Sequence, residues 1–139
     1  MRAPSETLTP KDEFLGSLDR CSSNDAFLTD FYKRFIESSD EVRHKFRHTS
    51  FDKQKRMLLK SLRLSAEATS GDPKALSDLT DRGETHNRRH LDIKPELYQL
   101  WLESLITTAQ EFDGQWTEST ERSWRTVLGF VIRRMTADY

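Results

Sequence analysis

The apolar positions of this chain recur with the spacing of α-helices along almost its whole length. The widest apolar face lies in one segment, where the positions follow the order i, i+1, i+4, i+5, i+8 and i+9: Phe27, Leu28, Phe31, Tyr32, Phe35 and Ile36. This pattern is typical of a helix that buries one broad side. Because the sequence has neither an alternating strand pattern nor an internal repeat, it predicts an all-α fold.

Helix ends are marked by capping and breaking residues. Thr9 before Pro10 reads as an N-cap followed by proline in the first helical turn. At Gly71, Asp72 and Pro73 one helix can end and the next be capped and begin. Pro95 opens a later helix in the same way. These signals predict seven to eight helices in one domain over residues 1–139, with residues 1–8 as a disordered tail.

Composition narrows the class of protein. Apolar residues make up 35% and charged residues 32% of the chain, which is typical of a globular domain with a well-solvated surface. The 22 Lys and Arg are balanced by 23 Asp and Glu, which argues against nucleic acid as the main partner. No apolar run is long enough for a membrane span, and the first residues lack the apolar core of a signal peptide. With Cys21 as its single cysteine, we expect a cytoplasmic protein.

His86 continues an apolar stripe made by Leu76, Leu79 and Gly83, so its side chain should point inward. A buried imidazole is hydrogen-bonded, ligated or held neutral, and the sequence leaves open a core histidine as well as a metal ligand. His90 would share this face if the helix continued. Pro95, however, indicates that this helix unwinds in the residues before the next helix begins.

Two polar groups on other apolar faces favour a pocket. Tyr32 lies on the broad face of its helix, and its hydroxyl needs a partner in the interior. Gln54 lies one turn before Leu58 on a later helix. Together with His86, these side chains suggest a cavity whose guest presents a hydrogen-bond acceptor.

Several stretches, in this order, resemble the bacterial haemoglobins: "FYKRFIESSDEVRHKF", "FDKQKRMLLKSL", "GETH", "IKPELY" and "VLGFVIRRM". The first places Phe46 fourteen residues after Tyr32, as the second-helix signature of that family does. The resemblance covers roughly residues 9–136. It implies a globin-like fold around a haem b, with a histidine bound to the iron.

The resemblance also implies roles for individual residues. His86 would be the axial ligand, with His90 as the alternative, and its second ring nitrogen would donate to a carbonyl one turn earlier, that of Arg82. Tyr98 would support the proximal side. The distal pocket would be formed by Phe31, Tyr32, Phe46, Gln54 and Leu58, of which Tyr32 and Gln54 would donate hydrogen bonds to the gas ligand.

The sequence departs from the family pattern in three places. Tyr98 follows His86 by twelve residues and His90 by eight, and neither interval matches the usual one. Asp40 stands where many relatives have a proline. Flavohaemoglobins pair the tyrosine near the axial histidine with a final-helix glutamate, and here the nearest carboxylate, Asp138, does not align with it. The missing carboxylate weakens a peroxidase-like interpretation.

The function implied by the resemblance is reversible binding of oxygen, and also of NO and CO, with no residue assigned a catalytic role. One alternative is a nitric oxide dioxygenase or peroxidase, which would need a separate reductase because 139 residues leave no room for a flavin domain. Another is a haem-free globin-like or gas-sensing regulatory module that acts through protein contacts.

Overall fold

The computed structural model describes residues 8–86 and 93–137, and within those ranges every regular element is an α-helix. The helices are α1 (Pro10–Ser22), α2 (Ala26–Glu37), α3 (Asp40–Lys45), α4 (Phe51–Thr69), α5 (Pro73–His86), α6 (Pro95–Phe112) and α7 (Glu118–Thr136). The predicted all-α class is confirmed. The tail expected over residues 1–8 falls, except for Leu8, outside the described residues.

The helix ends form where the capping residues predict them. The Thr9 hydroxyl accepts a hydrogen bond from the Asp12 amide at 3.1 Å, which satisfies a free donor at the start of α1. Gly71 has a φ of 85°, a left-handed conformation that glycine adopts without steric penalty, and it follows the end of α4. The Asp72 carboxylate then accepts from the Ala75 amide at 2.9 Å at the start of α5.

The helices enclose a large apolar core and a smaller apolar cluster. Helix α7 packs against α1, α4, α5 and α6, while α2 packs on α6 and α3. Among the described residues, the largest fully buried side chains are those of Trp124, Phe14, Phe27, Phe31, Leu18 and Leu62. None of the described helices is long and apolar enough to cross a membrane.

A buried polar network joins α1 to the α6–α7 turn and to α7. The Asp113 carboxylate accepts hydrogen bonds from Ser17 Oγ at 2.6 Å and from Arg20 Nε and Nη2 at 2.6 and 3.0 Å. Trp124 Nε1 donates to Ser17 Oγ at 2.9 Å. Burial on its own would raise the pKa of Asp113, but the hydrogen bonds from Arg20, Ser17 and the Gln115 amide hold that pKa below its usual value. The carboxylate therefore stays charged. It links the α6–α7 turn to α1 and, through Ser17, to Trp124 of α7.

Candidate functional site

A cavity of about 510 Å³ lies between α2, α3, α4, α5, α6 and α7. Its volume is within the usual range for small-molecule and cofactor sites. The wall is largely apolar, and its polar side chains are Tyr32, Lys45, Thr49, Gln54, Ser61, Ser65, Arg82, Thr85, His86 and Tyr98. An apolar cavity with a few convergent polar groups is the usual form of a binding site.

His86 is the last residue of α5 and lines this cavity. Its Nδ1 lies 2.7 Å from the carbonyl oxygen of Arg82, which confirms the hydrogen bond predicted from the sequence. Burial lowers the pKa of His86, so the imidazole is neutral at neutral pH. A neutral ring that donates from Nδ1 carries its lone pair on Nε2, at the far end of the ring, where a metal ligand needs it.

The position of α5 depends on a close helix contact one turn before His86. A Cβ atom built on Gly83 would lie 3.2 Å from the Met135 carbonyl oxygen and 3.4 Å from its Cα. Glycine at this position therefore lets α5 approach the backbone of α7. The amide of Ile93 donates to the His86 carbonyl at 2.9 Å. His90, the alternative ligand, lies outside the described residues.

Tyr32 of α2 and Gln54 of α4 meet at the cavity. Tyr32 is only 4% exposed, and its hydroxyl donates to the Gln54 backbone carbonyl at 3.5 Å. Burial raises the pKa of Tyr32 to about 12, and the nearby Gln54 side chain offsets part of this rise. Because 3.5 Å is long for a hydroxyl hydrogen bond, the Tyr32 hydroxyl keeps most of its capacity to donate to a guest.

The predicted apolar distal residues occupy different positions. Phe46 and Leu58 line the cavity. Phe31 is fully buried behind Tyr32, with the two ring centroids 4.8 Å apart, and it does not line the cavity. Phe51, which the sequence did not single out, packs edge-on against Tyr32 at 5.4 Å. It therefore helps to hold that ring in place.

Tyr98 of α6 lines the cavity and is 9% exposed, and burial raises its pKa to about 12. The described part of α7 contributes apolar side chains to the cavity wall: Val131, Ile132 and Met135. Asp138 lies outside the described residues. The α7 side chains that line the cavity are thus apolar over the described residues.

Other cavity residues carry only weak sequence signals. Ser61 and Ser65 of α4 line the cavity, and each hydroxyl donates to the carbonyl one turn earlier, at 2.7 and 2.8 Å. Their spacing from Gln54 and Leu58 is helical, which is the one signal that places them on this side. Trp101 also lines the cavity, but its place in an apolar stripe does not distinguish it from a core residue.

The residues present fit a haem. A flat, largely apolar macrocycle suits the apolar wall, and iron is commonly held by a single neutral imidazole whose other nitrogen is hydrogen-bonded. His86 meets this requirement through its contact with the Arg82 carbonyl. Tyr32 and Gln54, on α2 and α4, supply polar groups to the same cavity.

Comparisons with known proteins identify the family and the fold of this chain. A family model described as globin matches residues 29–135. A crystal structure of protein PA3967 from Pseudomonas aeruginosa PAO1, described as structurally highly homologous to a human hemoglobin, is similar to this chain at 33% identity and a TM-score of 0.89. The match covers 93% of this chain and 97% of that one. No curated protein sequence matches significantly. The chain therefore belongs to the globin family, with a haemoglobin-like fold.

Proposed function

We propose that this globin holds a haem b through Nε2 of His86 and binds oxygen reversibly, together with NO and CO, in the cytoplasm. The observation that carries the proposal is the half-buried imidazole at the cavity wall, with Nδ1 engaged 2.7 Å from the Arg82 carbonyl. That contact selects the tautomer and fixes the ring plane, so Nε2 remains free for one ligand.

Ferrous haem, when bound, supplies an iron with an open position for a diatomic gas. The chain supplies the groups that select and retain the gas. The Tyr32 hydroxyl has only a long contact with the Gln54 carbonyl, so it is able to turn toward an acceptor in the cavity. Gln54 can donate from its side-chain amide, while Phe46 and Leu58 exclude water from the same space.

The donors favour oxygen, which polarises, over apolar carbon monoxide. A net hydrogen bond contributes about 1 kcal/mol, and one to a charged acceptor about 1.5–3 kcal/mol. Since about 1.4 kcal/mol corresponds to a factor of ten, Tyr32 alone would slow oxygen release by roughly tenfold or more. Reversible binding is favoured over a peroxidase-type reaction because the described α7 side chains at the cavity, including Val131 and Met135, place no carboxylate there.

The test is the absorbance spectrum of the purified protein loaded with haem, reduced, with and without oxygen or carbon monoxide. Wild type should give an intense haem band that shifts reversibly with each gas. His86→Ala should lose this haem band, and added imidazole should restore it by occupying the vacated space. His44→Ala is a matched control, because His44 is exposed and does not line the cavity.

His90→Ala separates the two candidate ligands. The proposal expects it to behave as wild type. Loss of the haem band in His90→Ala together with a normal spectrum in His86→Ala would refute the assignment of His86. A wild-type protein that takes up no haem while retaining its helical circular dichroism would refute the haem function and favour a haem-free regulatory module.

A further inference from the structure

Positive charge is concentrated in one segment of this nearly neutral chain. Residues 43–63 hold eight Lys and Arg and one Asp, whereas the rest of the chain holds 14 Lys and Arg against 22 Asp and Glu. The segment runs from the end of α3 through the first two-thirds of α4. The overall charge of −1 therefore conceals a strongly basic region on an otherwise acidic surface.

The exposed cations of α4 gather on one side of the helix. Lys53, Arg56 and Lys60 recur at helical spacing and are all exposed, with Met57 between them. We call these four residues the basic face. Within the described ranges none of its three cations takes part in an ion pair.

Neighbouring cations of the same segment do have carboxylate partners. Arg63 lies 2.9 Å from Asp19, and Lys55 lies 3.8 Å from Asp52. Arg43 pairs with Asp40. The positive potential of the basic face is not neutralised in this way and is therefore available to an external partner.

The basic face is continuous with the cavity wall. Met57 is 43% exposed and also lines the cavity, as do Gln54 and Ser61 on the same helix. From Lys53 to Lys60 the helix rises roughly 10 Å, about the width of a small contact patch. On its other side Arg56 borders a surface groove of about 350 Å³ that Leu28 and Leu59 also line. A partner seated here would lie next to the cavity and would find apolar surface as well as charge.

We propose that the basic face docks an acidic electron-transfer protein that reduces the iron of the cavity, an inference that rests on the proposed haem function. The partner would be a flavoprotein: with haem bound, its flavin hydroquinone would give up one electron and become the semiquinone, while ferric iron would become ferrous, and no covalent bond would form or break. Complementary charge accelerates such encounters and orients the partners, while exposed Met57 supplies the apolar contact typical of protein interfaces.

An acidic protein fits the charge distribution better than an extended polyanion. A DNA duplex or an anionic bilayer presents negative charge far beyond the roughly 10 Å of the basic face. Such a surface would also meet the acidic remainder of the chain, where 22 carboxylates outnumber 14 cations. A small acidic protein can confine its contact to the face.

The test uses haem-loaded protein and an acidic flavodoxin as the electron donor. The variant is Lys53→Glu/Arg56→Glu/Lys60→Glu, and the matched control is Lys33→Glu/Lys74→Glu/Arg122→Glu. The three control residues are exposed cations outside the cavity wall and outside the basic segment. Both variants change the net charge equally. Flavodoxin binding is measured by calorimetry, and iron reduction is measured by stopped-flow absorbance at low and high salt.

The proposal expects wild type and the control variant to bind flavodoxin and to be reduced at similar rates. The basic-face variant should lose on the order of tenfold or more in both quantities at low salt, and the difference should shrink as salt screens the charges. Dithionite, a small reductant, should reduce all three proteins equally. Equal losses in both variants, or tighter binding of wild type to duplex DNA or to phosphatidylserine vesicles than to flavodoxin, would overturn the proposal.

Haem uptake and flavodoxin binding test the proposed function and the docking surface separately. A protein that takes up no haem defeats the proposed function, but calorimetry still reports whether flavodoxin binds the basic face. A protein with a normal haem spectrum and no flavodoxin binding retains the proposed function and loses the docking surface.

Discussion

Substitution of Gly83, which lies close to the backbone of α7, tests how the fold positions His86. A Cβ on Gly83 would lie 3.2 Å from the Met135 carbonyl oxygen, closer than such atoms normally approach. The obstructing atoms belong to the backbone, so they cannot rotate away as a side chain would. Gly83→Ala must therefore shift α5 relative to α7 by a few tenths of an ångström, and His86 lies only three residues further along α5.

Two opposing effects determine how much Gly83→Ala changes the free energy of unfolding. Replacing a helical glycine by alanine stabilises a helix by roughly 0.5–1 kcal/mol. Overpacking a tight contact typically destabilises by about 1–3 kcal/mol. We expect Gly83→Ala to have a net effect between near zero and about 2 kcal/mol of destabilisation, and Gly83→Leu to destabilise by about 3 kcal/mol or more.

Gly16 provides a matched control within α1. A Cβ on Gly16 would meet only the Arg20 Nη1 atom, at 3.5 Å, which is an ordinary contact with a flexible side chain. Gly16→Ala should therefore show the propensity gain alone, about 0.5–1 kcal/mol of stabilisation.

The assay is urea unfolding followed by circular dichroism, with the haem spectrum recorded for each variant. The free energies of unfolding of Gly83→Ala and Gly16→Ala should differ by about 1–3 kcal/mol, and the Gly83 variants should also change the haem spectrum. A stabilisation of Gly83→Ala equal to that of Gly16→Ala, with an unchanged spectrum, would refute the argument that this contact positions His86.

Two further predictions concern Asp113 and Tyr32. Asp113→Ala should destabilise the protein by about 2–4 kcal/mol, because it leaves Ser17 without its acceptor and Arg20, which is partly solvated, without its partner. Since the folded pKa of Asp113 lies below its unfolded value, its ionisation stabilises the wild type fully above that unfolded value and progressively less as pH falls through the folded pKa. Urea midpoints measured between about pH 2 and pH 7 should show a smaller acid-dependent loss in Asp113→Asn than in wild type, and parallel curves would contradict this. Tyr32→Phe should change the free energy of unfolding by less than about 1 kcal/mol, because its hydroxyl makes only a 3.5 Å contact, while oxygen release measured by stopped flow should accelerate by roughly tenfold or more. An unchanged oxygen off-rate would exclude Tyr32 as a distal donor.

The sequence by itself determined the helices and most of their ends. Helical periodicity and capping depend on residues within about one turn of each other, so local patterns are sufficient to predict them. Thr9 with Pro10 and Gly71 with Asp72 mark helix ends that the structure reproduces. The order and spacing of several stretches, among them the interval from Tyr32 to Phe46 and the stretch ending at His86, likewise indicated the globin family, which the comparisons confirm.

Only the tertiary structure decided which apolar residues face the cavity and which fill the core. Phe31 and Tyr32 occupy the same broad face of α2, yet Tyr32 lines the cavity and Phe31 is buried behind it. Periodicity identifies a buried side but does not name the element that packs against it. The contact of Ser17 with Asp113 joins residues 96 positions apart, and the approach of Gly83 to Met135 also depends on how two distant helices pack. These contacts arise from the mutual packing of helices, which no local pattern encodes.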